Sequence, residues 1–278
     1  MPGERPSWVP RARKEFVSEE LTLRKIEGYG WKPSLPDPRD IPADTSELPI
    51  QAEVDPRREY MTKVYAQLRL GSCTANAVAA AIDADCIVSG ENPKLPSRLW
   101  IYALERLVEG SSLRQDTGAY GRDGFKVARN IGIVPEVEWP YSDKIAVWSQ
   151  DPRMTAMWNK RQKTKHPYKA VPRNLSSIRR VLSNKQTIAF GFSVFESFES
   201  QQVTDTGLMP HPDTTAEKAL GGHEVLMVGY LKDEPHHALC RNSWGFRWGL
   251  DGYFLMPWTV ILDRNLSGDF WTIYRPKL

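Results

Sequence analysis

The sequence is poor in cysteine, with three among 278 residues, poor in histidine, with five, and has no surplus of charge: 37 Lys and Arg face 34 Asp and Glu, a formal net charge of +3. Three scattered cysteines without a CxxC exclude the disulfide scaffold of a small secreted domain, and an odd number leaves at least one thiol free. That count fits a reducing intracellular compartment. Nowhere do about 18 apolar residues run consecutively, so no membrane-spanning helix is expected, and residues 1–20 lack the apolar centre of a signal peptide. A charge this close to balance excludes attraction to nucleic acid or an anionic membrane by bulk charge alone. Internal repeats and low-complexity tracts are also missing, so collagen-like, coiled-coil and wholly disordered readings fall away. What is left is a globular composition, 41% hydrophobic, long enough to bury a core without staples.

Residues 31–56 carry six prolines among small and acidic residues, which predicts an extended strap over a surface. Upstream, residues 15–26 set Phe16, Leu21, Leu23 and Ile26 against charges, a short amphipathic helix that must dock on something. After Gly71-Ser72 the Ala-rich run CTANAVAAAIDADCIVSG predicts a helix from about Cys73 to Gly90, packed closely on several sides. A second helix follows Ser97 as N-cap, with Leu99, Tyr102, Leu104 and Leu107 as its apolar positions, and a third is expected over residues 124–130. Beyond Gln186 the pattern becomes alternating: TIAFGFSVF, HEVLMVGYL, HALCRNSW and GYFLM read as antiparallel strands. A helical half and a sheet half predict an α+β protein of two lobes with a ligand cleft between them.

Cys73 stands where a Gly-Ser turn meets a helix start, and there the helix dipole and unpaired N–H groups lower a thiol pKa. An isolated cysteine on an Ala-rich helix is more often a small buried hydrophobe. Its companions change the balance. Gln67, six residues earlier in QLRLGSC, can fold its amide back beside the Cys73 N–H, giving two donors for one oxyanion. His223 opens a strand after two glycines, whereas His166, His211, His236 and His237 lie in loops expected to face solvent. Asn242, in RNSWG, can accept from an imidazole and hold its tautomer, with Trp244 shielding that bond from water.

QLRLGSC, then GGHEVLMVGY, then RNSWGFRWGLDGYF together resemble the papain-like cysteine peptidases, with Gln67, Cys73, His223 and Asn242 in that family's order. The segment TGAYGRDGFKVARNIGIVPEVEWPY is similar to the family's substrate-cleft loop. GSCTANA and GWKPSLPDPRD resemble the branch found in bacteria, archaea and large DNA viruses. The resemblance implies a two-lobed papain-like fold over residues 53–278, preceded by an extension over residues 1–52. It also implies a Cys-His-Asn site that hydrolyses peptide bonds of a peptide or protein substrate, backbone contacts to substrate at Gly118 and Ala119, and no metal or organic cofactor.

Two positions depart from the family: Thr74 stands where a Trp usually follows the nucleophile, and Leu70 where a disulfide cysteine is usual, so Cys86 and Cys240 read as buried free thiols. Glu224 replaces a small apolar residue at a pocket wall. It either narrows and acidifies that pocket, favouring Arg or Lys over Leu or Phe, or turns to solvent or an Arg. Residues 1 to about 30 either restrain the cleft or form a plain strap or tail. Ten cations between Arg153 and Lys185, with no acid among them, form a basic block; sparse interleaved aromatics argue against nucleic acid. HHALC lacks a fourth ligand for a metal. A catalytically weak binding protein, or a thiol acyltransferase or deamidase on the same fold, remains as the alternative function, and neither oligomeric state nor substrate is legible.

Overall fold

A computed structural model describes residues 29–144 and 153–276. The Ala-rich run forms helix α1 (Cys73–Val88), buried almost all round because its small side chains let neighbours approach from every side. Helix α2 (Arg98–Val108) begins as expected: the Ser97 hydroxyl accepts from the Trp100 N–H. The third helix differs from its expected span. It starts earlier, as α3 (Gly121–Lys126), and continues as a single π-type turn over Val127–Ile131.

Two short strands, β1 (Trp31–Lys32) and β2 (Ala119–Tyr120), pair in parallel. The remaining strands are β3 (Tyr168–Ala170), β4 (Ile188–Phe195), β5 (Ala219–Gly229), β6 (His237–Arg241), β7 (Tyr253–Pro257) and β8 (Ser267–Ile273). They make an antiparallel sheet of order β3-β8-β4-β5-β6-β7. β3 and β8 were absent from the sequence reading, since neither shows clean alternation between apolar and polar residues.

Alternation divides the sheet between two cores. Ala189, Leu226, Val228 and Leu255 face α1 and α2, while Phe190, Phe192, Val225, Met227 and Phe254 face the opposite core. Cross-strand register sets Gly191 opposite Glu224, and Phe192 opposite His223. Consecutive residues His223 and Glu224 therefore point to opposite faces, an arrangement the site depends on. This is the α+β, two-lobed papain-like architecture.

The strap over residues 31–56 is extended, as expected, with bridges Pro42 to Ala170 and Val54 to Tyr230. Its leading end is not on the surface, however: Trp31 is buried. The expected amphipathic helix over residues 15–26 lies outside the described residues. Cys73, Cys86 and Cys240 are all free and buried. Cations of the basic block take separate partners: Lys160 pairs with Glu138 at 2.7 Å, Arg173 donates to the Ser267 carbonyl at 2.5 Å, and Arg179 lies over the Tyr230 ring. Two histidines expected in solvent-facing loops are half-buried instead: His166 is held by Asp85 at 3.0 Å, and His237 opens β6 and lies beside Glu234.

Arg98 clamps the helical lobe. It bonds Glu136 at 2.6 Å and Asn76 at 3.2 Å and lies between the Tyr65 and Tyr141 rings. Removing one partner of a buried ion pair leaves the other charge uncompensated, at a cost of about 3 kcal/mol. Arg98→Ala is expected to lower Tm by about 6 to 12 °C in a thermal melt. A shift under about 2 °C would show that the clamp contributes little.

Candidate active site

Cys73 is the first residue of α1, so its backbone N–H is among those left without an intrahelical acceptor. The turn before it is held from two directions. The Asp116 carboxylate accepts the Gly71 N–H at 2.7 Å, and the Ser72 hydroxyl contacts Tyr141 OH at 2.6 Å. Tyr141 OH in turn donates to the Gln67 carbonyl at 2.7 Å. The backbone of Glu224 and that of Gly30 lie close enough to the Cys73 sulfur to act on its pKa, which places the thiol near the junction of His223 and Glu224 on β5.

His223 Nε2 lies 2.9 Å from Asn242 Oδ1. That oxygen also accepts the Ser243 N–H at 2.8 Å, which orients the amide as an acceptor and places the imidazole proton on Nε2. Nδ1 has no hydrogen-bond partner among the described residues. The Trp244 ring stacks on the imidazole with centroids 5.1 Å apart, and Phe192 meets it edge-on at 5.9 Å. The position expected for Trp244 is the one it occupies. Gln67 is fully buried; its Nε2 donates to the Leu70 carbonyl at 3.0 Å and its Oε1 accepts from Ser243 Oγ at 2.5 Å. An amide nitrogen has two hydrogens, so one remains for an oxyanion.

Residues 29–32 fill the cleft. The Ala119 N–H donates to the Gly30 carbonyl at 2.7 Å, so the edge at Gly118 and Ala119 expected to hold substrate holds the chain's own strap. Tyr29 lies edge-on to His223 with centroids 6.0 Å apart and donates from its hydroxyl to Glu199. Lys32 pairs with Glu109 at 3.1 Å.

This cover reverses the expectation of a lowered thiol pKa. Cys73 is 0% and His223 1% exposed. Burial pushes the Cys73 thiol up to about 12, the carboxylate of Glu224 adding to it, and burial pushes the His223 imidazole down to about 4. With the strap seated, the pair rests as neutral thiol and neutral imidazole.

Glu224 does not take the second of its two readings, the turn to solvent or to an Arg. It is 1% exposed, not turned to solvent, and no Arg bridges it; its two carboxyl oxygens have no partner among the described residues. Desolvation, then the Asp269 carboxylate, holds its carboxyl well above the usual range. A side chain on Gly121 would meet it at 2.0 Å, so glycine there leaves it room. Thr74, the other departure, donates to Glu105 at 2.8 Å, and Glu105 is likewise buried and raised by desolvation. Glu105, Asp116, Ser243, Tyr29, Trp31 and Asp269 escaped the sequence reading. Only Glu105 carried a signal there, as an acid inside an apolar stretch of helix.

The profile of the papain family cysteine proteases matches residues 50–261. The chain is 35% identical over 272 residues to an uncharacterized peptidase C1-like protein of Acanthamoeba polyphaga mimivirus, covering 88% of this chain and 86% of that one. It is 28% identical over 261 residues to cathepsin K of Gallus gallus, 91% of this chain and 71% of the other. Among solved structures, xylellain, a cysteine protease from Xylella fastidiosa, superposes with a TM-score of 0.77 at 36% identity, covering 92% of this chain and 99% of that one.

Proposed function

The chain belongs to the papain family of cysteine proteases, and on that premise we propose that it hydrolyses peptide bonds through Cys73, His223 and Asn242, with residues 29–32 holding the enzyme latent. In the open cleft the Cys73 proton passes to His223 Nδ1, and the thiolate attacks the substrate carbonyl carbon. The resulting oxyanion is bound by the Cys73 N–H and by Gln67 Nε2. Nδ1–H protonates the departing amine, leaving a thioester. Nδ1 then takes a proton from water, whose oxygen attacks the thioester, and the acid product leaves as the thiol is restored. Asn242 holds the ring so that Nδ1 stays on the sulfur's side throughout. The observation that carries this reading is the His223 Nε2 to Asn242 Oδ1 bond of 2.9 Å with Nδ1 left unpartnered.

Latency is supported by the strap's position: its Gly30 carbonyl accepts from the Ala119 N–H, so the chain itself occupies the edge where a substrate backbone would pair.

Prolonged incubation of the full chain with an epoxysuccinyl peptide is expected to add one equivalent, located on Cys73 by peptide mapping, and none to a Cys73→Ala chain. Labelling at Cys86 or Cys240 instead, or none at all, would overturn the reading. Asn242→Ala is expected to lower kcat/KM about 10- to 100-fold, the worth of one hydrogen bond to a group that becomes charged. Labelling stoichiometry should stay at one.

A further inference from the structure

Two stretches of backbone wall the cleft beside Cys73: the turn at Gly71, which leads into α1, and the edge at Gly118 and Ala119. Gly30 of the strap lies between them. A Cβ on Gly30 would fall 1.7 Å from the Gly71 carbonyl oxygen, and one on Gly118 2.1 Å from the Gly30 carbonyl oxygen, so the gap admits a backbone and little more. Its width matters, and all three cysteines are free, so no disulfide fixes it.

A chain of polar contacts fixes it instead. Asp116 Oδ2 accepts the Gly71 N–H at 2.7 Å, and Oδ1 of the same carboxylate accepts the Tyr102 hydroxyl proton. That hydroxyl in turn accepts the Gly118 N–H at 3.1 Å. A phenol oxygen carries one hydrogen and also accepts, so both bonds stand together. Burial, then the Asp116 carboxylate, holds the Tyr102 hydroxyl well above the usual phenol range, so it keeps the proton it donates. Arg106, four residues on and therefore on the same face of α2, is fully buried. It donates to the Gly118 carbonyl at 3.2 Å and to the Ser112 carbonyl at 2.5 Å. Gly118 is thus held at both its N–H and its C=O from α2, and one carboxylate joins that hold to the turn of the nucleophile.

We propose that Asp116, acting through Tyr102, is a positioning residue for peptide cleavage: it sets the distance between the Cys73 turn and the edge at Gly118 and Ala119, so that a backbone paired at that edge brings its carbonyl carbon to the sulfur. The proposal rests on the peptidase reading for its use in catalysis. Both ends of the brace are bonds to backbone, so loss of either end lets one wall shift against the other, and a misplacement of about 1 Å costs up to about 100-fold in rate. A small alkylating reagent needs only the thiol, whereas a peptide reagent needs the thiol and the edge in register.

The ratio of Cys73 labelling rates by an epoxysuccinyl peptide and by iodoacetamide therefore reads the spacing, since both reagents need the strap withdrawn and the open fraction cancels. In the full chain, Asp116→Ala and Tyr102→Phe are each expected to lower that ratio about tenfold or more, and the double substitution to lower it no further than the larger single one. A lowered Tm with the ratio unchanged in both would overturn the proposal, because a support of the fold alone moves stability and not the ratio. A fall in one variant only, or falls that add in the double, would overturn the link between the two walls. Amide exchange tests that link without a substrate. Tyr102→Phe leaves both partners of the Asp116 to Gly71 bond in place, yet exchange at the Gly71 amide should quicken about tenfold or more. Unchanged exchange there would also overturn the link. Labelling of the unaltered chain by iodoacetamide but not by the peptide, with Gly71 exchange quickened in Tyr102→Phe, would fault the peptidase reading and uphold the link.

Discussion

A full chain carrying Gly30→Leu is expected to react with iodoacetamide at Cys73 about 100-fold faster at pH 7 than the unaltered chain. A Cβ at position 30 would fall 1.7 Å from the Gly71 carbonyl oxygen, a contact between two backbones that neither can relieve by a rotamer change. Gly71 is tied to Asp116 at 2.7 Å and leads directly into α1, while Gly30 is tied to Ala119 at 2.7 Å. Strain of about 3 kcal/mol on the closed form shifts the closed-to-open ratio by about two powers of ten. The chemistry follows from solvent. In the closed form burial holds the thiol near about 12 and the imidazole near about 4, so proton transfer from Cys73 to His223 is unfavourable. Opening returns water to both, the thiol falls and the imidazole rises, and the ion pair forms at neutral pH. In the unaltered chain the labelling rate should keep climbing into the alkaline range, and in Gly30→Leu it should already be high at pH 7. Equal rates with an unchanged Tm would show that the strap does not limit access to the thiol.

In that opened background, Cys73→Ala and His223→Ala are each expected to lower kcat on a fluorogenic peptide by about 10⁴-fold or more, and the double substitution to cost no more than either alone. The nucleophile without its base is a thiol, and the base without its nucleophile has only water to activate. A pair acting as one unit fails completely when either member is lost. Losses that add on a logarithmic scale would mean two independent contributions and would count against the proposed passage of one proton between Cys73 and His223.

Much of this was legible in the chain. The Ala-rich run after Gly71-Ser72, the alternation in residues 187–195 and the order of Gln67, Cys73, His223 and Asn242 are local patterns or fixed separations, and each led to the element or side chain now seen. Ser97 as N-cap and Trp244 as the cover of His223 follow from the same kind of signal. The misses share a different cause. Of the two readings given for Glu224, the turn to solvent or to an Arg is the one excluded, because its face of β5 is set by cross-strand register with Gly191, not by its neighbours along the chain. The third helix begins at Gly121, where a residue with no side chain accommodates the Glu224 carboxyl. Asp269 and Trp31 lie more than two hundred residues apart and meet only through the sheet.

Residue type and spacing alone carried the α+β class, and the motifs in their order carried the resemblance that implied the two-lobed architecture, because helix capping and strand alternation are properties of short stretches and a motif keeps its residues together. Tertiary structure alone decided what fills the cleft, that burial shifts the thiol pKa up and the imidazole pKa down, and that Glu224 lies buried with no partner among the described residues. Those depend on desolvation and on contacts between distant strands, and burial is a property of the packed surroundings that no short stretch of residues encodes.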